Sequence, residues 1–393
     1  MNNNRLVIYI LALANAAVVV GMGLITPSII IIKNEFNLSA EVVQLVLTYY
    51  MVAAGLGQLV FGTLSDRFGR RPILLTGGLL FVLSSLSATM SPNITILLIL
   101  RIMQGLGAAA CMSMARVIIN DSFNKTQAAE KLSLMTAIMV IFPLISLITG
   151  GFIAQTIGWV GTMYVFFIFG LIVLTGSFFQ IPETKVNKID SLDFKKIFNS
   201  YSAVLTNKSF LIFTFIGSIQ VGVFFSSFGF MPYEFARLGV SPLEFGFWIS
   251  FTGIGYFAGN ILNRYYAAIL GIERLIVLGC FFSLSSYLFI LILHLNSFGH
   301  PLYISLPIIL FGLGNGFSVA NCIIGGISST GIHSGTATGI AGALQMSSGG
   351  VIGAIVIVFG GDENFLICLL FMNLLCLTAL FSSLFKLGKQ SKI

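Results

Sequence analysis

The stretch Gly62-Thr-Leu-Ser-Asp66-Arg67-Phe-Gly69-Arg70-Arg71-Pro72 places four charges within six residues of an otherwise apolar chain. Asp66 at a helix end, Gly69 in a tight turn and Pro72 at the start of a following helix are more than a solvated loop needs. The chemistry they support is ion pairing that can be made and broken. Asp66 suits a helix N-terminus of the other half of the chain, and the arginines suit a carboxylate such as Asp121. Gly62, Asp66, Arg67, Gly69, Arg70, Arg71 and Asp121 therefore read as a conformational latch. A different chemistry attaches to Arg101, which lies well inside an apolar run, where an unpaired guanidinium costs about 2.5–3.5 kcal/mol on the translocon scale. Two readings stay open for it. Arg101 either caps carbonyls inside a helix bundle, or acts as a field source that contacts an anionic or polar substrate or alters a neighbour's proton affinity. The amides Asn15, Gln104, Gln220, Asn315, Asn321 and Gln345 also sit in apolar runs, where such groups bond neighbouring helices or face a ligand.

No catalytic set accompanies these residues. The chain has no HExxH, no paired intramembrane aspartates and no GxSxG elbow, which argues against an intramembrane enzyme. Cys111, Cys280, Cys322, Cys368 and Cys376 are odd in number, lie in apolar runs and lack CxxC spacing, so neither a disulfide framework nor a zinc site is indicated. His294, His300 and His333 fall near the ends of apolar runs, with no second ligand at metal spacing, and read as solvated loop histidines. No metal and no cofactor is expected. The Phe224, Phe225 and Phe228 cluster reads as packing in a chain with 37 Phe.

The elements that must position the charges follow from composition. The chain has 393 residues, of which 57% are hydrophobic and 8% charged, against about 25% charged in a soluble domain. This is an all-α membrane protein, because lipid offers the backbone no hydrogen-bond partner. Crossing takes about 20 apolar residues as a helix. Twelve runs qualify: roughly 7–32, 42–63, 72–91, 94–119, 132–155, 160–181, 210–231, 243–263, 275–295, 302–324, 336–359 and 364–387. Ala12-Leu13-Ala14 could mark a signal-peptidase site, but the first run continues to Ile32 and is read as a retained helix.

With the N-terminus in the cytoplasm, 17 of the 20 Lys and Arg fall on the inner face, Arg116 and Lys131 among them. The positive-inside rule is met, and the net charge of +7 reports topology rather than nucleic-acid binding. Both termini are expected inside. The hydrophilic connection 182–208 divides the chain into bundles 1–181 and 209–393, too small a linker to hold a sensor domain. Two echoes relate the halves: Gly62-Thr-Leu-Ser-Asp66-Arg67 with Gly259-Asn-Ile-Leu-Asn263-Arg264, and Gly105-Leu-Gly107 with Gly312-Leu-Gly314. The expectation is twelve transmembrane helices in two pseudo-symmetric six-helix bundles, the architecture of an alternating-access carrier.

The 62–72 stretch resembles the G-x-L-x-D-R-x-G-R-R motif of the major facilitator superfamily. Leu100-Arg101-Ile-Met-Gln104-Gly105-Leu-Gly107 is similar to its span-four motif, and Ala115-Arg116 to Asp121 to the continuation of that motif. The nearest branch is that of the bicyclomycin/chloramphenicol-resistance drug:proton antiporters. Val43-Gln44-Leu, Gly57-Gln58-Leu, Pro143 with Gly150-Gly151, Gly158-Trp159, Ser334-Gly335-Thr336-Ala337 and Gly342-Ala343-Leu344-Gln345 carry that likeness. The resemblance implies this superfamily's fold, proton-coupled export of small amphipathic molecules across the inner membrane, and a path lined by spans one, four, seven, ten and eleven. Those spans hold Asn15, Arg101, Gln104, Gln220, Asn315, Asn321 and Gln345.

Three positions depart from the branch pattern: Val20 where span one usually has an acid, Leu147 where a second Pro is common, and Val160 in place of Arg. Such an exporter exchanges a proton for a cation at a buried carboxylate, so the absent acid disfavours a strongly cationic substrate. Two carriers therefore stay in view. One is a multidrug exporter driven by the proton gradient; the other is a metabolite or siderophore carrier running inward or outward. Each is expected to be a monomer in the lipid bilayer whose partner is a small molecule and not nucleic acid.

Overall fold

A computed structural model describes residues 5–185 and 194–390. Lys188 and Lys392, among the Lys and Arg counted above on the inner face, lie outside the described residues, as do Asp190 and Asp193. The described residues form α1 (Arg5–Gly23), α2 (Ile29–Glu35), α3 (Ala40–Phe68), α4 (Arg70–Ala88), α5 (Ile94–Ser122), α6 (Lys125–Thr156), α7 (Trp159–Gln180), α8 (Phe194–Leu205), α9 (Lys208–Arg237), α10 (Pro242–Ile249), α11 (Phe251–Leu270), α12 (Ile272–Leu295), α13 (Leu302–Ser305), α14 (Pro307–Ser328), α15 (Ser334–Val358) and α16 (Phe365–Gln390). Ten segments are long and apolar enough to cross a membrane, counting α1 and α2 as one and α13 and α14 as one, and Ile141–Thr156 is a shorter apolar helix. α11 is diluted by Asn260, Asn263, Arg264, Tyr265 and Tyr266.

Helix starts follow local chemistry. Asn93, Asn124 and Asn207 each accept a backbone N–H of the turn that they open, and Ser241 with Glu244 closes a capping box at α10. The joins between α3 and α4 and between α11 and α12 are single residues with positive φ, Gly69 at 104° and Gly271 at 76°. Only glycine takes that conformation without strain, so each join is a hairpin that returns the chain at once.

Two compact units divide the chain, Met1–Asp193 and Phe194–Ile393. In the first, α5 packs on α3, α4 and α1, α4 on α7, and α1 on α6 and α7. In the second, α14 packs on α11, α12 and α9, α12 on α16, and α9 on α15 and α16. The same six pairings thus occur in each unit. The glycines of the second echo make close backbone approaches. A Cβ on Gly105 would lie 2.4 Å from the Tyr50 carbonyl oxygen of α3, and one on Gly107 would lie 2.7 Å from the Gly77 oxygen of α4. Their counterparts Gly312 and Gly314 would meet the Thr252 oxygen of α11 at 2.0 Å and the Gly279 oxygen of α12 at 2.4 Å. Lipid supplies no hydrophobic force between helices, so close backbone packing of this kind holds them together.

The connection expected over 182–208 is structured at both ends. Glu183 and Lys185 bond to groups at the α3–α4 turn of the first unit. α8 lies beside α15 and α9 in the second.

Candidate functional site

Gly69 turns the chain so that Arg70, the first residue of α4, points back along the end of α3. Its guanidinium is buried and fully employed. Nε donates to Asp121 Oδ2 at 2.9 Å, Nη1 to Ser65 Oγ at 2.5 Å, and Nη2 pairs with Asp66 Oδ1 at 3.0 Å. Lys185 Nζ reaches the same Asp66 oxygen at 2.9 Å, and Glu183 Oε1 accepts the Arg70 backbone N–H at 2.9 Å. Asp66 and Asp121 thus share one cation across α3 and α5, a charge-assisted arrangement stronger than neutral hydrogen bonds. Of the other residues expected in the latch, Arg71 bonds the Phe178 carbonyl of α7 at 2.7 Å, while Arg67 is exposed and lies over the Phe68 ring. Gly62 has open space around it. Ser65, Glu183 and Lys185 were not singled out from sequence; Glu183 and Lys185 stand well over a hundred positions from their partners.

Arg101 sits on α5 with no exposed surface. Nε donates to the Val46 carbonyl of α3 at 3.0 Å, Nη2 to the Gly21 carbonyl of α1 at 2.9 Å, and Nη1 to Gln104 Oε1 at 2.9 Å. Its guanidinium carbon stands 4.0 Å from the centre of the Tyr50 ring, a cation–π distance. The Tyr50 hydroxyl in turn bonds the Ala17 and Val18 carbonyls at 3.1 Å each, and Gln104 Nε2 reaches Ser85 Oγ of α4 at 3.0 Å and Met163 Sδ of α7 at 3.7 Å. Five helices meet in this knot. Of the two readings left open, the geometry is that of a carbonyl-capping guanidinium. All three of its nitrogens are spoken for.

Asn15 faces a second arginine. Its Oδ1 accepts Arg116 Nε at 2.9 Å, and its Nδ2 donates to Met139 Sδ of α6 at 3.2 Å. Sequence counting put Arg116 among the charges of the inner face; α5 runs on past it to Ser122, so the residue lies within the helix. The apolar run 94–119 already contains it, so the sequence holds it near the inner end of a span as well as among the inner-face charges.

In the second unit, Gln220 Oε1 accepts Ser283 Oγ at 2.8 Å and Asn315 Nδ2 at 3.4 Å, while Gln220 Nε2 reaches Cys280 Sγ at 3.3 Å. Asn321 stands apart, donating to Asn263 Oδ1 at 2.7 Å, and Asn263 is the residue that echoes Asp66. Gln345 is buried, and its Nε2 has no partner among the described residues. Phe224, Phe225 and Phe228 pack on one another, with Tyr256 and Phe311 beside Phe224. His294 is half-buried rather than a solvated loop residue. Its ring nitrogen is 3.4 Å from the Tyr303 hydroxyl, which donates to the buried Glu234 at 2.6 Å, and Arg237 pairs with Glu234 at 2.8 Å. A cavity of about 1040 Å³ opens beside Ser209, Phe213, Glu273, Arg274 and Lys386, and none of the expected substrate residues line it.

Residues 11–354 match the Major Facilitator Superfamily. The chain belongs to that superfamily. Within it, the chain is similar to a chloramphenicol resistance protein of Pseudomonas aeruginosa, with 28% identity over 248 residues, 62% of this chain and 58% of that protein. The match to that relative therefore spans little more than half of its length. A bicyclomycin resistance protein homolog of Haemophilus influenzae is 27% identical over 342 residues, 86% of this chain and 85% of its own. Among solved structures, a D-xylose-proton symporter superposes with a TM-score of 0.77 at 15% identity, covering 96% of this chain and 97% of that one, and shares the superfamily fold. As a major facilitator chain the protein is a multi-pass membrane transporter of small molecules, and not an enzyme.

Proposed function

We propose that the protein exports small amphipathic molecules across the inner membrane by alternating access, driven by the proton gradient. The observation that carries this reading is the match along 85% of a bicyclomycin resistance homolog by a chain that repeats six helix pairings in each of its two units. In this reading α6 and α11 cross the bilayer with the ten more apolar segments, giving twelve spans, both termini in the cytoplasm and a monomer as the working form. The cluster of Asp66, Arg70 and Asp121 serves as the latch: its pairs hold one state of the cycle and part in the other. Gln220, Asn315, Asn321 and Gln345 are the amides offered to substrate in the second unit, with Asn15 in the first.

A second reading, a metabolite or siderophore carrier of either direction, is favoured by one observation. Val20 occupies the position of the span-one acid and is buried in α1, so the usual proton-for-cation exchange has no carboxylate there.

Expression in an efflux-deficient host with a panel of lipophilic drugs tests export, and a raised inhibitory concentration for at least one compound is expected. No resistance to any of them would reject the exporter. Vesicles with an imposed pH gradient test coupling, and drug movement indifferent to the gradient would reject antiport.

A further inference from the structure

We propose that Arg116 and Asn15 form a subsite for the anionic group of a transported organic anion. The proposal rests on the transporter reading above and narrows its substrate class.

Arg116 lies six residues before the end of α5, about 9 Å along the axis. Side chains on a helix tilt toward its N-terminus, so the guanidinium reaches away from the nearer end of α5 and into the bundle. There it meets Asn15, ten residues into α1, whose amide nitrogen in turn donates to Met139, fourteen residues into α6. The contact uses only Nε. Among the described residues, neither Nη1 nor Nη2 has a protein partner, and no carboxylate lies within ion-pairing distance. The nearest acids in sequence are committed elsewhere: Asp121 to Arg70, and Glu130 to Lys131 on the surface. Arg101, on the same helix, has every nitrogen bonded and needs nothing more. Arg116 is thus half-buried with two nitrogens left over and, among the described residues, no carboxylate to answer its charge.

The chemistry that answers it is specific. Asn15 is itself fixed by Met139, and it holds the guanidinium through Nε. The Nη1–Nη2 edge is then left to donate to two oxygens of one carboxylate or phosphate, a geometry that a lysine cannot offer. A cation in a low-dielectric setting without a counter-charge is costly. An anion that arrives there relieves that cost, whereas a cationic molecule raises it. Met139, in contact with Asn15, adds an apolar, adaptable side chain next to the anchoring amide. An organic anion with an aromatic or aliphatic body fits both features.

The test uses the purified full-length protein and three probes of equal size and different charge: 1-naphthoate, 1-naphthamide and 1-naphthylmethylamine. A ligand of the folded state raises the unfolding temperature with concentration. Naphthoate is expected to stabilise at concentrations tenfold or more below the amide, with the amine weakest. Arg116→Gln should weaken naphthoate by about tenfold or more, the loss of a charged hydrogen-bond partner, and bring it level with the amide. Arg116→Lys keeps the charge without the fork. It should retain the preference for naphthoate at reduced affinity, and it stands in if the glutamine variant does not fold. Equal affinity for the three probes in the wild type, or unchanged naphthoate binding in Arg116→Gln, would overturn the subsite even where drug resistance is observed. Charge-selective binding in a wild-type protein that moves no drug would reject export and leave the subsite standing.

Discussion

Two arginines on one helix look alike as letters and differ in what surrounds them. Arg101 holds carbonyls of α1 and α3, and its loss would remove a donor from the Gly21 carbonyl and Gln104 Oε1, about 1–3 kcal/mol for each buried group not rescued by water. Arg101→Ala should therefore lower the unfolding temperature by several degrees, and Arg101→Lys should recover only part, because an ammonium cannot reach three acceptors at once. Thermal unfolding of the purified variants checks this. Unchanged stability with lost transport would turn Arg101 back into a substrate contact. At the other end of the bundle, Arg70 is buried and Asp66 is partly exposed at 39%. Removing the shared cation leaves two carboxylates facing each other, while removing Asp66 costs two partly screened pairs, to Arg70 and Lys185, about 1 kcal/mol or less each. Asp66→Asn should then keep membrane abundance and stability while impairing transport, and Arg70→Ala should lose both. Normal drug resistance from Asp66→Asn would refute the latch. These distinctions were not legible in the chain, because each depends on partners 51 to 101 residues away.

At the scale of elements, the hairpins and close contacts explain why glycine recurs at equivalent places. Gly105 and Gly312 each press on a backbone oxygen of the neighbouring helix, which cannot move aside as a side chain would. Gly105→Ala and Gly312→Ala should each force apart a pair, α5 from α3 or α14 from α11, and sharply reduce the yield of folded protein. Gly62→Ala meets nothing within 4 Å and should express as the parent does. Size-exclusion profiles of the three variants decide the matter, and a well-folded Gly312→Ala would remove the claimed equivalence of the echoes. The echoes and the apolar runs were visible in the sequence. The amphipathic α8 within the connection was not, since a hydrophilic stretch of that length reads equally as coil.

At the scale of the whole molecule, the proposed topology fixes which surfaces meet which solvent. Met90 is 81% exposed at the α4–α5 turn, and Thr206 is exposed just before α9. The five native cysteines are buried, so a single introduced thiol can be read without a background. Met90→Cys should react with a membrane-impermeant maleimide added to intact cells, and Thr206→Cys only after the membrane is opened. The reverse pattern would invert the protein in the bilayer. Equal reaction of both in intact cells would break the twelve-span count.

The order of letters was enough to establish the membrane class, the helical class, the succession of apolar runs and membership of the superfamily. Those follow from hydropathy and from the rule that a backbone in lipid must satisfy itself, both of which act locally along the chain. It could not say that Arg101 is consumed by carbonyls, that Arg116 keeps a free edge beside Asn15, or that Glu234, Tyr303 and His294 meet. A side chain's hydrogen-bond partners are set by how helices pack in three dimensions, and the residues brought to Arg101 and Arg116 stand 80 and 101 positions away. Packing alone chooses which of two identical guanidinium groups still has a charge to offer.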